Sequence, residues 1–125
     1  MLIKVLKSKL HRGAVTSAKL HYPGSVGIDP VLLEAAGIAP YECVLIADVD
    51  NGNRLETYAV PTERGSGRID ILGAAAQLIH EGDRVIILAF GQCTPEEAQK
   101  MKPRVVVLDE NNQILESSDT ASYSA

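Results

Sequence analysis

The chain contains few aromatic and few sulphur-bearing side chains. Its 125 residues include no tryptophan, one phenylalanine and two cysteines. Cys43 and Cys93 are far apart and lack the C-x-x-C spacing of redox and zinc motifs, and the three histidines are scattered. This pattern is typical of a cytoplasmic protein with free thiols, and we expect no metal site.

Long apolar runs are also absent. No stretch approaches the roughly 20 apolar residues that span a bilayer, and the N-terminus lacks the apolar segment and cleavage site of a secretory signal. The start of the chain, from Lys4 to Arg12, is basic, but the formal net charge is −4. Because nucleic-acid binding usually requires a basic face, we expect a cytoplasmic protein without a nucleic-acid or membrane partner.

The length and composition fit one globular domain. Hydrophobic residues make up 46% of the chain and charged residues 22%, and a chain of this length buries a sizeable core without disulfides or metals. We expect residues 1–115 to form this single domain. The segment 116–125 is rich in serine, threonine and alanine, and we expect it to be a disordered tail.

Short β-type segments dominate the chain. Val44–Val49 and Leu55–Val60 flank Asn51-Gly52, the strongest short signal for a β-hairpin. Val85–Phe90 is a continuous apolar run, which predicts a strand buried on both faces. Further strands are predicted at Leu2–Leu6, Ala14–His21, Arg68–Leu72 and Arg104–Leu108.

The predicted helices are few and short. Asp29 predicts the start of one helix and Gly37 its end. A second is predicted at Ala74–Ile79, and Thr94 with Glu97 has the spacing of a capping box that begins a third. Several short strands with brief helices favour a closed β-barrel with helical caps over a sandwich.

Gly24 followed by Ser25 is the most informative pair for chemistry. Glycine adopts strained turns at little steric cost, which lets the Ser25 hydroxyl approach the carbonyl carbon of Gly24. This arrangement suits cleavage of the chain by an N-to-O acyl shift. A hydrolase nucleophile is the competing interpretation, but Gly24-Ser25-Val26-Gly27 is not G-x-S-x-G, and no Asp and His follow in the hydrolase order and context.

Six motifs occur in order along the chain. Together they resemble the pyruvoyl-dependent L-aspartate alpha-decarboxylases of bacteria, from residue 1 to about residue 110. The resemblance implies a six-stranded double-psi β-barrel with short capping helices, assembled as a homotetramer whose active sites lie at subunit interfaces. The motifs are Lys9-Leu10-His11-Arg12, Leu20-His21-Tyr22 with Gly24-Ser25, Asn51-Gly52 with Arg54, Thr57-Tyr58, Glu63-Arg64-Gly65-Ser66-Gly67 and Gly73-Ala74-Ala75-Ala76.

The resemblance implies a cofactor made from the chain itself. Ser25 attacks the carbonyl of Gly24, the resulting ester eliminates to dehydroalanine, and hydrolysis leaves a pyruvoyl group at position 25. Two chains result, 1–24 and 25–125. The ketone forms a Schiff base with L-aspartate and accepts the charge that decarboxylation leaves. The product, β-alanine, would serve pantothenate and coenzyme A synthesis, and the sequence leaves open whether cleavage needs a maturation factor.

The resemblance assigns roles to three side chains of the second hairpin strand. Arg54 binds a substrate carboxylate, for which a guanidinium is the natural bidentate partner. Tyr58 donates a proton to the α-carbon. Thr57 hydrogen-bonds the Gly24 carbonyl during cleavage and later contributes to the substrate site. Strand alternation places Thr57 on the face opposite Arg54 and Tyr58.

Two further groups of residues are assigned to the site. Gly73, Ala74 and Ala75 begin a helix whose backbone N–H groups can bind a substrate carboxylate. Lys9 supplies a second cation for the substrate, and His11 assists the cleavage.

Leu72 departs from the family pattern, which has asparagine at this position. A leucine side chain cannot hydrogen-bond, so the alternative is an uncleaved, non-catalytic barrel that acts as a binding or assembly module. Ser25, Tyr58 and Arg54 together favour the enzyme, because a scaffold has no chemical need for them. Gly65-Ser66-Gly67 resembles an anion nest, but it lacks a P-loop context, and we expect a tight structural loop.

Overall fold

The computed structural model describes residues 1–118, and strands make up most of its regular structure. Nine strands form one mixed sheet in the order β2-β6-β3-β5-β4-β7-β1-β8-β9. The prediction of a mainly β fold with short helices is confirmed, although the strands number nine instead of six. They are β1 (Ile3–Ala14), β2 (Ser17–Lys19), β3 (Ser25–Ile28), β4 (Cys43–Asp48), β5 (Arg54–Pro61), β6 (Ile69–Leu72), β7 (Arg84–Cys93), β8 (Arg104–Leu108) and β9 (Ile114–Ser118).

The first strand is much longer than the sequence predicts. β1 runs for 12 residues, beyond the predicted Leu2–Leu6, and only Ser17–Lys19 of the predicted Ala14–His21 forms β2. The pairing of β1 with β7 shifts register twice. Bulges of this kind bend a strand without ending it, and they interrupt the two-residue periodicity by which a strand is recognised in the sequence.

Two strands lie outside the predicted segments. β3 has four residues, all buried, so its sequence shows no alternation of polar and apolar side chains. It lies inside the sheet, antiparallel to β6 and parallel to β5. β9 pairs antiparallel with β8 and includes residues Glu116 to Ser118 of the predicted tail. The rest of that tail, 119–125, lies outside the described residues.

The sheet curls so that distant strands meet around one core, consistent with a barrel. A Cβ on Gly13 of β1 would lie 2.5 Å from Cδ1 of Ile69 in β6 and 3.5 Å from Cδ1 of Leu108 in β8. A side chain at position 13 would therefore displace Ile69. Fully buried side chains of the core include Leu10, Val26, Ile28, Ile46, Ile71 and Ile87.

Asn112 links the strands at this end of the core through hydrogen bonds to their backbones. Its side chain, in the turn between β8 and β9, is almost fully buried. Nδ2 donates to the carbonyl oxygens of Ala14 and Gly67 at 2.9 and 2.8 Å, and Oδ1 accepts the N–H of Ala14 at 2.7 Å. One amide thus joins the end of β1 to the loop before β6.

The two α-helices lie close to where the sequence predicts them. α1 spans Pro30–Ala36; the Asp29 carboxylate accepts the N–H of Val31, and Gly37 ends the helix with φ 68°. α2 spans Pro95–Lys100 and begins with the predicted capping box. No helix within residues 1–118 has the length and hydropathy needed to cross a membrane.

The third helical segment is a short 3₁₀ helix, Gly73–Gln77, where the sequence predicts a helix over Ala74–Ile79. Gly73 has a φ of 85°, which turns the chain sharply out of β6. The N–H of Leu78 bonds to the carbonyl of Ala75 at 3.0 Å and closes the last turn. The segment lies directly beside the predicted cleavage position.

Candidate active site

The Gly24–Ser25 pair lies where the chain enters β3. Ser25 is 5% exposed and pairs with Leu72 at the end of the antiparallel strand β6. Gly24, one residue earlier, is exposed. The peptide bond between them therefore sits at the boundary between a surface loop and the buried sheet.

Gly73 packs directly against this segment. A Cβ on Gly73 would lie 2.6 Å from Cα of Gly24 and 2.8 Å from the carbonyl oxygen of Tyr22. Both contacts are with backbone atoms, so a side chain at position 73 would push the segment away. This close backbone contact fixes the position of the segment that leads into the Gly24–Ser25 peptide.

A pocket of about 310 Å³ opens beside Gly24. One wall is β5, which contributes Thr57, and the other is the 3₁₀ helix, which contributes Ala74 and Ala75. The pocket thereby brings together four of the predicted site residues, Gly24, Thr57, Ala74 and Ala75. A volume at the lower end of the usual range for ligand pockets suits a small amino acid. The other lining residues are Leu55, Glu56, Leu72 and Leu78.

Three of these lining residues were not among the sequence candidates. Leu55 lies two residues before Thr57, so strand alternation could have identified it. Leu78 follows the 3₁₀ helix and is partly exposed despite its apolar side chain. Glu56 gives no sequence signal, because alternation places it on the opposite face from Thr57.

Arg54 and Tyr58 lie on β5 but do not line this pocket. Both are exposed, whereas Leu55 and Thr57 between them are half-buried, as strand alternation predicts. The ring centroid of Tyr58 lies 6.3 Å from that of Tyr41, with the planes inclined at 36°. Of the three predicted residues on this strand, Thr57 is the one that faces the pocket.

Lys9 and His11 belong to β1, away from the pocket. Lys9 pairs with Leu88 of β7 and Val105 of β8, and three strands separate β1 from β3 in the sheet order. Burial, followed by the nearby positive charge of Lys9, lowers the pKa of His11. His11 is therefore neutral at pH 7. Within one chain, the structure does not bring Lys9 or His11 to the pocket lining.

Comparison with known proteins decides the family. Residues 1–115 match the family described as aspartate decarboxylase. The chain belongs to the aspartate decarboxylase family. The assignment made from the six sequence motifs is confirmed, and so is the prediction of an enzyme.

Relatives in this family match the chain over almost its full length. An aspartate 1-decarboxylase of Caldicellulosiruptor saccharolyticus is 49% identical over 124 residues, which cover 99% of this chain and 97% of the relative. An aspartate 1-decarboxylase of Clostridium beijerinckii is 49% identical over 122 residues, 98% of each chain. The matched region therefore includes the Gly24–Ser25 segment and the pocket beside it.

In this member of the aspartate decarboxylase family, the Gly65-Ser66-Gly67 loop is filled by the protein's own carboxylate. Asp29 accepts the N–H groups of Gly65 and Gly67 at 3.0 and 2.9 Å. Burial tends to raise the pKa of Asp29, but hydrogen bonds from the backbone, that of Gly67 first, outweigh it and lower the pKa. The expectation of a structural loop agrees with this geometry, because the nest already holds an anion.

Three carboxyl groups cluster at the base of the hairpin that leads to Arg54. Oxygen atoms of Asp48, Asp50 and Asp83 lie within 4.8 Å of one another. Burial, and then the adjacent Asp83 carboxyl group, raises the pKa of Asp48 to about 6. Each carboxyl group also accepts a backbone N–H. Burial and the adjacent carboxyl group thus favour the protonated form of Asp48 below about pH 6.

Proposed function

We propose that the protein cuts its own chain between Gly24 and Ser25 and then removes the α-carboxylate of L-aspartate, giving β-alanine and carbon dioxide. Membership of the aspartate decarboxylase family supports the reaction. The single observation that carries the cleavage is the close packing of Gly73 on Gly24, next to a pocket that Thr57 also lines.

The cleavage uses the hydroxyl group of Ser25. Its Oγ attacks the carbonyl carbon of Gly24, the amide C–N bond breaks, and an ester links the two residues. Thr57 donates a hydrogen bond to the oxygen that gains charge during the attack. Loss of the proton on Cα of Ser25 then expels the carboxylate of Gly24 and leaves dehydroalanine. This elimination separates the chains 1–24 and 25–125, and hydrolysis of the dehydroalanine releases ammonia and leaves the ketone of the pyruvoyl group at position 25.

The chain's own residues then bind the substrate and handle its proton. The pyruvoyl group at position 25 supplies a ketone that acts as the electron sink for decarboxylation. Arg54 and Lys9 bind the carboxylates of L-aspartate, and the helix start at Gly73 to Ala75 accommodates the substrate closely because its side chains are small. Tyr58 donates its hydroxyl proton to the α-carbon, since a neutral phenol is a hydrogen donor.

A homotetramer agrees with the separation of these residues along the sheet. Because three strands lie between β1 and β3, we infer that Lys9 and His11 reach the pocket of a neighbouring copy. Tyr58 and Arg54, exposed on β5, would then face the site from the subunit boundary. We further infer one domain over residues 1–115, a cytoplasmic location, and a product that feeds pantothenate and coenzyme A synthesis.

Intact-mass spectrometry of the purified, denatured protein tests the cleavage. We expect two species split at Gly24–Ser25, the larger one carrying the pyruvoyl group. Ser25→Ala should remain a single chain, whereas Ser66→Ala, which changes an exposed serine outside the pocket, should be cut as in the wild type.

The release of carbon dioxide and β-alanine from L-aspartate, followed by NMR, tests the reaction. We expect Tyr58→Phe to be cut normally but to lose decarboxylation. An uncut wild-type chain without activity would favour the non-catalytic barrel, for which Leu72 opposite Ser25 is the motivating observation. Leu72→Asn and the addition of a cell extract would then separate a defective pocket from a missing maturation factor.

A further inference from the structure

Two asparagine side chains of the β4–β5 hairpin turn donate to the same backbone carbonyl group. Nδ2 of Asn51 and Nδ2 of Asn53 each lie 3.0 Å from the carbonyl oxygen of Leu78. Leu78 directly follows the 3₁₀ helix, a position where carbonyl groups lack partners within the helix. The asparagine pair (Asn51 and Asn53) therefore attaches the hairpin turn to the end of this helix.

The two attached elements are the opposite walls of the pocket. β5 begins one residue after Asn53 and forms one wall, while the 3₁₀ helix and Leu78 form the other. The asparagine pair joins the walls at the Leu78 end. At the other end of the helix, Gly73 packs on Gly24. The width of the pocket between these ends thus depends on the two bonds to Leu78.

The turn keeps its shape through other hydrogen bonds. Oδ1 of Asp48 accepts the N–H of Asp50 at 2.8 Å, and the carbonyl oxygen of Asp48 accepts that of Gly52 at 2.9 Å. Oδ1 of Asn51 accepts the N–H of Asn53 at 2.8 Å. Both amide NH₂ groups are therefore directed at a separate element, the helix end, and not at the turn itself.

We propose that Asn51 and Asn53 are positioning residues that set the width of the pocket and thereby its affinity for L-aspartate. The inference rests on the proposed function, because it takes this pocket as the substrate site. Neither amide touches a reacting atom; each acts through the wall that it holds. Since the pair lies at the opposite end of the helix from Gly73, its loss should weaken substrate binding and leave the cleavage at Gly24 intact.

The test compares the wild type with the Asn51→Asp/Asn53→Ala double variant, because aspartate at position 51 keeps the acceptor for the N–H of Asn53 and removes the donor to Leu78. Asn111→Ala, in the exposed turn between β8 and β9, is the matched control. Intact mass reports cleavage, steady-state kinetics give KM and kcat for L-aspartate, and calorimetry gives the Kd of succinate, a dicarboxylate without the amine. Thermal denaturation records the folding of each variant.

We expect the double variant to raise KM and the succinate Kd about tenfold, with kcat within twofold of the wild type and cleavage complete. Asn53→Ala alone should raise them less, because Asn51 still donates to Leu78. Unchanged KM and Kd in the double variant would overturn the proposal, and so would a fall in kcat and Tm without a change in Kd.

Failure of the proposed function has a different outcome. A wild-type protein that binds succinate but releases no carbon dioxide from L-aspartate would refute the decarboxylase, while the succinate titration would still decide the role of the asparagine pair. A wild-type protein that neither binds succinate nor releases carbon dioxide from L-aspartate would overturn both.

Discussion

The buried carboxyl group of Asp48 offers a direct test of the electrostatics at the base of the hairpin. Its pKa is raised from 3.8 to about 6, first by burial and then by the neighbouring Asp83. A carboxyl group whose pKa is higher in the folded state stabilises the fold below its ordinary pKa, and this stability is lost as the pH rises through the folded value. We therefore expect Asp48→Asn to stabilise the protein most above pH 6, to stabilise it less at pH 5, and to have little effect near pH 4 and below.

The magnitude follows from the two pKa values. They differ by about 2 (about 6 against 3.8), and each pH unit corresponds to about 1.4 kcal/mol. Ionising Asp48 in the fold therefore costs at most about 3 kcal/mol at pH 8. Asparagine is uncharged at every pH, so the variant avoids this cost. For a domain of this size the gain corresponds to a Tm increase of up to roughly 10 °C.

Thermal denaturation followed by circular dichroism at pH 4 and pH 8 measures the effect, at one fixed protein concentration because assembly also shifts Tm. Glu110→Gln, which removes an exposed carboxyl group of the turn between β8 and β9, outside this cluster, is the control. An Asp48→Asn variant with the same Tm change at both pH values, or with none at pH 8, would refute the raised pKa of Asp48.

Three further substitutions test contacts described above. Gly73→Ala places a Cβ 2.6 Å from Cα of Gly24, and we expect uncut protein by intact mass and a free energy of unfolding lower by roughly 3 kcal/mol. Asn112→Ala removes three hydrogen bonds to the backbone and should lower the urea midpoint by the equivalent of about 2–3 kcal/mol. Because the pKa of Asp29 is lowered in the fold, its contribution to stability is lost as the pH falls. The Tm of Asp29→Ala should therefore fall less than the Tm of the wild type when the pH is lowered.

Local signals were sufficient for the helices and the hairpin. The caps of α1 and α2 depend on side chains within a few residues of the helix ends, so Asp29, Gly37 and Thr94 identify them directly. The Asn51-Gly52 turn likewise separates two strands that do pair with each other. The alternation of exposed and half-buried residues in β5 was also predictable, because it follows from the strand period.

Features that depend on distant partners could not be read from the sequence. β3 is buried on all sides by β5 and β6, so its four residues carry no periodic pattern. The proximity of Asp48 and Asp83 brings the end of β4 next to the turn before β7, and nothing local distinguishes the two residues from solvated carboxylates. Gly24, Thr57, Ala74 and Ala75, which the motifs assign to the site, all line the pocket. The location of Lys9 away from the pocket depends instead on the order of strands in the sheet.

The position of β1 between β7 and β8 has a consequence for the cut protein. Once the bond after Gly24 is cut as we propose, β1 and β2 belong to a separate polypeptide of 24 residues, held by three ladders and by Asn112. Refolding of the uncut chain is unimolecular, whereas refolding of the cut protein requires two fragments to meet, so its recovery falls with dilution. The mature protein would then persist because its unfolding is slow, and a single denaturation event would separate the fragments for good.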